Sequence, residues 1–128
     1  MNQKGRNPGE PFVQLPHYVL RSAAHLSLTA LAQALLVHLI HRHNGNNNGR
    51  IGLSHRDGAR LCNVNKDTIK RAFDELEKKG FIRISLKGGF NMKDPTLRRA
   101  TEWRLTWLET TEARPTHDFK EWSANEDD

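Results

Sequence analysis

The chain contains one cysteine in 128 residues, which excludes the small secreted folds that disulfides hold together. It also lacks any run of about 18 apolar residues, the length that a membrane-spanning helix needs. The first eleven residues are polar and rich in glycine and proline, so they do not resemble an apolar secretory signal. We therefore expect a cytoplasmic protein that makes no contact with a membrane, with Cys62 as a small core residue.

Motifs for catalysis and cofactor binding are also missing. The sequence has neither the phosphate-binding pattern G-x-x-x-x-G-K-[ST] nor the dinucleotide-binding pattern G-x-G-x-x-G. No serine or cysteine stands in a recognisable nucleophile setting. His38, His41 and His43 lie close together, but no neighbouring cysteine or carboxylate completes a metal-ligand set, so they are better interpreted as surface histidines at a helix end. We expect no enzyme activity, no cofactor and no metal.

The charge is unevenly distributed along the chain. Residues 1–108 hold 18 Lys and Arg against 8 Asp and Glu, a net charge of +10, whereas residues 109–128 hold 2 against 7, a net charge of −5. A basic body is typical of proteins that bind nucleic acid. The acidic segment shows no periodicity, so we predict a disordered tail in which Phe119 and Trp122 are the candidates for docking.

Residues 12–108 carry the periodic patterns of one small domain with a single core. Pro16 is placed to begin a short helix, and Ser27 or Thr29 to cap a long apolar one. A helix this apolar must be covered on more than one side, either by the Phe12–Leu26 segment or by a second subunit. Two later runs predict antiparallel strands, because apolar and polar residues alternate. Their apolar positions are Ile82, Ile84 and Leu86, then Trp103, Leu105 and Trp107.

The stretch 51–84 predicts two helices joined by a three-residue turn. Ser54 is placed to cap the first helix, with Asp57 in position to return a bond to the Ser54 N–H. Asn65 is placed to cap the second helix. Between the helices stands Asn63, a residue type that tolerates positive φ.

The second of these helices, 66–79, has an apolar and a charged face. Gly80 ends it, and four apolar residues recur at helical spacing. These are Ile69, Ala72, Phe73 and Leu76. Ala59, in the first helix, is small where the two helices would cross closely. The pattern predicts a helix-turn-helix whose second helix is offered to DNA.

Over residues 28–108 the pattern resembles the winged-helix DNA-binding domains of bacterial transcription regulators, especially the GntR type. The resemblance rests on the Ser54 cap, Ala59, Val64-Asn65, Thr68, Arg71-Ala72, Leu76 and Gly80-Phe81-Ile82. It implies an α+β winged helix-turn-helix fold with a three-helix core, a small antiparallel sheet and an extra N-terminal helix. Residues 87–100 would form the wing. Unlike that family, the chain is expected to have no effector-binding domain, so control by a metabolite is not predicted.

In such a fold the second helix enters the major groove, and residues near its start reach the bases. Arg71 is suited to guanine and Asp67 to a cytosine amino group, whereas Thr68 is better placed for a phosphate. Lys4 and Arg6, on the flexible arm, are weaker candidates for the minor groove. The predicted DNA-binding residues are Ser54, His55, Arg56, Asn65, Lys66, Asp67, Thr68, Lys70, Arg71, Lys87, Lys93, Arg98 and Arg99.

These patterns predict a flexible arm (1–11), a winged-helix domain (12–108) and an acidic, disordered tail (109–128). The expected function is sequence-specific binding of double-stranded DNA by a small bacterial, phage or plasmid transcriptional regulator, located with the nucleoid. One module buries limited surface, so we expect a homodimer. Two alternatives stay open: a replication, excision or partition factor, and a winged helix that binds protein. The acidic tail is a further candidate contact for a protein partner.

Overall fold

The computed structural model describes residues 10–86, 89–90, 98–99 and 101–124. Lys4, Arg6, Lys87 and Lys93 lie outside the described residues. The helices are α1 His17–Leu20, α2 Ala23–Leu26, α3 Ala30–His41, α4 His55–Cys62 and α5 Lys66–Lys78, with a 3-10 helix at Asp118–Glu121. The strands are β1 Ile51–Gly52, β2 Ile82–Leu86, β3 Gly89–Phe90, β4 Arg98–Arg99 and β5 Glu102–Leu105.

Side-chain caps begin the three long helices, as the sequence predicts. Thr29, rather than Ser27, caps α3: its Oγ1 accepts a bond from a backbone N–H three residues on, at 3.2 Å. Ser54 Oγ caps α4 in the same way at 3.0 Å, and Asn65 Oδ1 caps α5 at 2.8 Å. Each cap satisfies one of the backbone N–H groups that a helix leaves unpaired at its start, so local sequence fixes where these helices begin.

The core lies between α3 and the pair α4 and α5, and α3 packs on both. Leu35, Leu36 and Leu39 of α3 are fully buried. Val19 of α1 is fully buried as well, so the N-terminal segment does fold back onto the core, although Phe12 at its start is 75% exposed. Among the helices that the structure describes, none is long and apolar enough to cross a membrane.

A three-stranded antiparallel sheet in the order β1-β5-β2 completes the core. Trp103 in β5 pairs with Ile51 of β1 on one side and with Ile84 of β2 on the other. The alternation predicted for the last strand is confirmed for Trp103 and Leu105, which are buried, whereas Trp107 is buried but lies beyond the end of β5. The alternation is wrong for Ile84, which is 43% exposed beside the register shift between Ile84 and Leu86, although Ile82 in the same strand is fully buried. Together, the helices and sheet form the predicted α+β winged-helix fold.

One buried polar side chain ties the loop after α3 to the end of the sheet. Asn48 Nδ2 lies 3.0 Å from the Leu105 carbonyl oxygen, 2.9 Å from that of Leu108 and 3.3 Å from that of Glu109. Its Oδ1 accepts a bond from the Leu105 N–H at 2.7 Å. The amide nitrogen of Asn48 thus donates to backbone carbonyl oxygens, and its amide oxygen accepts from a backbone N–H. One side chain therefore satisfies several buried polar groups where β5 ends.

The prediction of a disordered acidic tail is wrong for residues 109–124. The Thr106 carbonyl oxygen accepts bonds from the N–H groups of Thr116 and His117, at 3.0 and 2.9 Å. The 3-10 helix follows, and Phe119 within it is buried against Phe81, the two rings stacked at 5.3 Å. The segment is ordered because a single large aromatic side chain and a few backbone hydrogen bonds attach it to the core. Such an attachment leaves no periodic pattern in the sequence, so the sequence did not predict it.

Close packing at the end of α5 holds the same segment, hereafter the C-terminal clamp (residues 116–122). A Cβ on Gly80, whose φ is +87°, would lie 2.6 Å from the Asp118 carbonyl carbon. Arg83 Nε donates to Asp118 Oδ2 at 2.9 Å. The Lys79 ammonium lies 5.0 Å from the centre of the Trp122 ring. Both residues named as docking candidates, Phe119 and Trp122, therefore pack on the chain itself.

Candidate nucleic-acid interface

The turn between α4 and α5 has the backbone geometry that its sequence predicts. Asn63 adopts the left-handed conformation, with φ 59° and ψ 47°. The Val64 N–H then donates to the Ala59 carbonyl oxygen at 3.0 Å, which closes the end of α4. Asn65 follows as the cap of α5, so the second helix starts three residues after the left-handed position.

Gly58 of α4 is packed tightly against α5, a contact that the sequence analysis did not predict. A Cβ on Gly58 would lie 3.0 Å from Phe73 Cε2 and 3.3 Å from Ile69 Cγ1. Ala59, predicted to lie where the helices cross, is buried as well. Glycine within a helix is unfavourable by itself, so an interior glycine in α4 was the available signal for a close contact.

The two faces of α5 separate as predicted. The apolar face is buried, and the structure leaves the charged side chains of the opposite face exposed. The exposed members are Lys66, Asp67, Lys70, Arg71, Asp74 and Lys78. Three of the first four are cations, so the start of the exposed face is positive. This surface, together with Asn65 and the start of α4, is hereafter the cationic face.

Glu75, an acidic residue near the end of α5, has a structural role. The Glu75 carboxylate accepts from the Thr29 N–H and from the Thr29 hydroxyl, both at 2.8 Å. It also lies 3.4 Å from the buried Lys79 ammonium, which donates to the Ser27 carbonyl oxygen at 3.1 Å. These bonds anchor the end of α5 to the start of α3, and they leave the beginning of α5 to face outward.

The first residues of α4 lie beside the start of α5. Arg56 is exposed, and Ser54 is partly buried with its hydroxyl oxygen occupied by the Asp57 N–H. The Asp57 carboxylate is expected from the sequence to accept a bond from the Ser54 N–H. Instead it lies 3.8 Å from the Arg60 guanidinium, in an exposed contact. Thr68, in the first turn of α5, is partly buried. Of Ser54, Arg56 and Thr68, only Arg56 is therefore exposed.

His55 lies where the two helices meet. Its ring packs on Phe73 with centroids 4.9 Å apart. Burial lowers the pKa of His55 below its usual value; Asp74 opposes this shift, and Lys70 and Lys66 add to it. These interactions place the imidazole among the charged side chains of the cationic face.

A row of three aromatic rings connects the sheet to both helices. Trp103 stacks on Phe73 at 5.2 Å, and Phe73 in turn contacts His55. The Trp103 indole N–H donates to the Leu53 carbonyl oxygen at 3.2 Å, one residue before the cap of α4. The sequence alternation predicts that Trp103 is buried, but not that it positions the two motif helices.

The base of the wing is a two-stranded ribbon in which β3 pairs antiparallel with β4. Gly89 pairs with Arg99, and Phe90 pairs with Arg98. Two of the four basic residues predicted for the wing therefore belong to one strand of a hairpin. Lys87 and Lys93, the other two, lie outside the described residues.

The segment with this geometry matches a known family. Residues 26–82, from the end of α2 to the first residue of β2, match the family model of a helix-turn-helix domain. Within it, α4, the turn at Asn63 and α5 form a helix-turn-helix. No curated protein and no solved structure matches the chain. The match supports a helix-turn-helix DNA-binding family, whereas likeness to the GntR type in particular stays a prediction.

Two other kinds of site were considered in the part of the chain that the structure describes. Among residues 10–86, 89–90, 98–99 and 101–124, no group of three or more His, Cys, Asp or Glu side chains is placed to hold a metal ion. Burial raises the pKa of the Cys62 thiol, which disfavours the reactive thiolate. The chemistry that this surface can perform is recognition of an anionic partner by cations and amide groups.

Proposed function

We propose that the chain binds double-stranded DNA by inserting the first two turns of α5 into the major groove. The observation that carries this proposal is the exposed cationic start of α5, held rigidly outward by its buried opposite face within a helix-turn-helix domain. The major groove is about 12 Å wide and admits a helix of this kind.

Direct readout of bases is assigned to the middle of the cationic face. Arg71 and Lys70 are exposed, and arginine binds guanine through two parallel bonds. Asp67 is proposed to accept a bond from a cytosine amino group. Asp74, one turn beyond Arg71, would repel a phosphate, so the helix is proposed to enter the groove by its start and not along its whole length.

The remaining contacts are proposed to position the domain on the phosphates. Ser54, His55, Arg56, Asn65 and Thr68 surround the start of α5, and the wing with Lys87, Lys93, Arg98 and Arg99 would follow the backbone or enter the minor groove. Contacts of this kind fix register and orientation but carry no direct sequence information. Affinity from these residues should therefore depend strongly on salt.

Within the cell, the proposed role is that of a small, non-enzymatic transcriptional regulator in the cytoplasm, acting as a homodimer on a repeated site. A single module of this size contacts few base pairs, and two modules one helical turn apart multiply specificity. If the selected sites lie at origins, excision sites or partition sites, the alternative role in replication, excision or partition replaces regulation.

Selection of bound sites from random duplexes, followed by titration of variants, tests the proposal. Arg71→Ala should weaken binding to the selected site by about 1–3 kcal/mol and binding to random duplexes much less. Arg114→Ala, which removes an exposed arginine outside the domain, is the matched control and should bind as the unmodified protein does. Equal weakening on both duplexes would make Arg71 a phosphate contact. Failure to enrich any site, with binding independent of Arg71, would favour a protein-binding winged helix.

A further inference from the structure

His55 is fixed within the cationic face, not free at its edge. It is the first residue of α4, and the contact with Phe73 holds its ring against α5 at 4.9 Å between centroids. The side chain is only partly buried, so one side of the imidazole stays accessible. Lys66 and Lys70, both exposed, are the cations whose charges act on the ring.

The charge balance around this ring favours the neutral form in the free protein. Burial lowers the pKa of His55, Lys70 and Lys66 lower it further, and the Asp74 carboxylate acts in the opposite direction. All three charged groups belong to α5, the element that packs against the ring. Histidine ordinarily titrates just below neutral pH, so His55 carries little charge at pH 7.

Building on the proposed contact of α5 with DNA, we propose that His55 takes up a proton when DNA binds and then acts as a third cation beside Lys66 and Lys70. The domain would thus bind DNA more tightly as the pH falls. No other change in the fold is needed, because the ring already lies in position.

The physical reason is a reversal of the local potential. A phosphate attracted by Lys66 and Lys70 brings negative charge beside the imidazole and offsets the repulsion from these two ammonium groups. The protonated ring is then favoured, so the pKa of His55 rises on binding. By linkage, a ligand that promotes protonation binds better to the protonated protein. Affinity therefore increases as the pH falls through the interval between the bound and the free pKa, and is constant above that interval.

The direct measurement is an NMR titration of the His55 ring in the full chain, free and bound to a random-sequence duplex of about 20 base pairs. A higher His55 pKa in the complex is the expected result. Each unit of that rise corresponds to about a tenfold gain in affinity across the titration interval. An unchanged or lower pKa in the complex overturns the proposal.

Variants separate His55 from the other six histidines. His55→Gln should lose most of the gain in affinity between about pH 8 and pH 5.5, whatever its affinity at pH 8, whereas His55→Arg should bind with little dependence on pH over this range. His41→Gln, which changes an exposed histidine at the end of α3, is the matched control and should keep the full pH dependence. Retention of that dependence in His55→Gln overturns the proposal. Absence of duplex binding at every pH would instead refute the proposed function, so the two failures are distinguishable.

Discussion

Trp103 and Phe73 stack with their ring centres 5.2 Å apart and their planes inclined by 18°, so a strand residue and a helix residue form one rigid contact. Trp103 belongs to β5, the central strand of the sheet, and Phe73 to the buried face of α5. The orientation of the proposed recognition helix relative to the sheet therefore depends on this pair.

Replacement of Trp103 should destabilise the domain strongly. Trp103→Ala removes the stacked ring and the indole bond to the Leu53 carbonyl oxygen, and large-to-small changes of this kind cost about 3–5 kcal/mol. Trp103→Phe keeps a ring and should destabilise less. Urea denaturation followed by circular dichroism gives both free energies of unfolding. A decrease below about 1 kcal/mol for the alanine variant would contradict the packing described above.

Gly58→Ala should also destabilise, although alanine is the better helix former. The gain in helix propensity is about 1 kcal/mol, whereas overpacking costs about 1–3 kcal/mol. The added Cβ would lie 3.0 Å from Phe73, whose ring has little room to move because it lies between His55 and Trp103. The matched control is Gly45→Ala, which meets no atom within 4 Å and tests the cost of its φ of +98° alone. A more stable Gly58→Ala variant would show that the interface is looser than described.

Phe119→Ala should detach the C-terminal clamp and lower the free energy of unfolding by about 3–5 kcal/mol. Affinity for random DNA at low salt should change little once the fraction of folded protein is taken into account. The clamp contacts the far end of α5, about 20 Å from its start for a 13-residue helix. Tighter binding by the variant at low salt, with the gain disappearing as salt is added, would instead indicate that the acidic segment competes with DNA.

Acid should weaken the same clamp through Asp118. Burial raises the pKa of this carboxyl, but bonds from Thr116 and Arg83 outweigh burial and hold the pKa below its ordinary value. A depressed pKa contributes stability above the unfolded value, near pH 4, and that contribution is lost as the pH falls through the folded value. Asp118→Asn should therefore be less stable at pH 7 and less sensitive to acid below pH 4. Melting temperatures of both proteins, measured across this pH range, test the prediction. If the melting temperatures of the two proteins fall in parallel as the pH is lowered, the prediction is contradicted.

The wing should add affinity with little sequence preference. Simultaneous replacement of Lys93, Arg98 and Arg99 by alanine should reduce the slope of log affinity against log salt by about 0.9 for each phosphate that these side chains neutralise. Arg21→Ala, which removes an exposed arginine at the end of α1, serves as the control. An unchanged slope in the triple variant would remove the wing from the interface.

Local signals made the domain predictable from its sequence. The caps at Ser54 and Asn65, the left-handed Asn63 and the buried face of α5 each depend on residues a few positions apart, so a single sequence contains the whole pattern. The family match over 26–82 covers this same region.

The features that the sequence did not predict depend on contacts between distant parts of the chain. Gly80 meets Asp118 and Phe119 across nearly 40 residues, and no local pattern distinguishes such a contact from a solvated segment. Similarly, Gly58 is a close-packed position because Phe73 of the next helix lies opposite it. Ile84 follows the alternation of a buried strand, yet it is exposed next to the register shift in β2, whereas Ile82 in the same strand is fully buried.

The buried amide of Asn48 has a consequence for the chemical ageing of the protein. Asn48 precedes Gly49, and an asparagine followed by glycine is the sequence most prone to spontaneous deamidation in water. Here the side chain is immobilised by bonds to Leu105, which hinders its attack by the following backbone nitrogen. Conversion to aspartate would replace the Nδ2 donor by an oxygen facing the carbonyl oxygens of Leu105 and Leu108, so that acceptor would confront acceptor. The folded domain thus protects Asn48 from deamidation, a conversion that would destabilise the fold. Deamidation at this position should therefore accumulate in unfolded molecules.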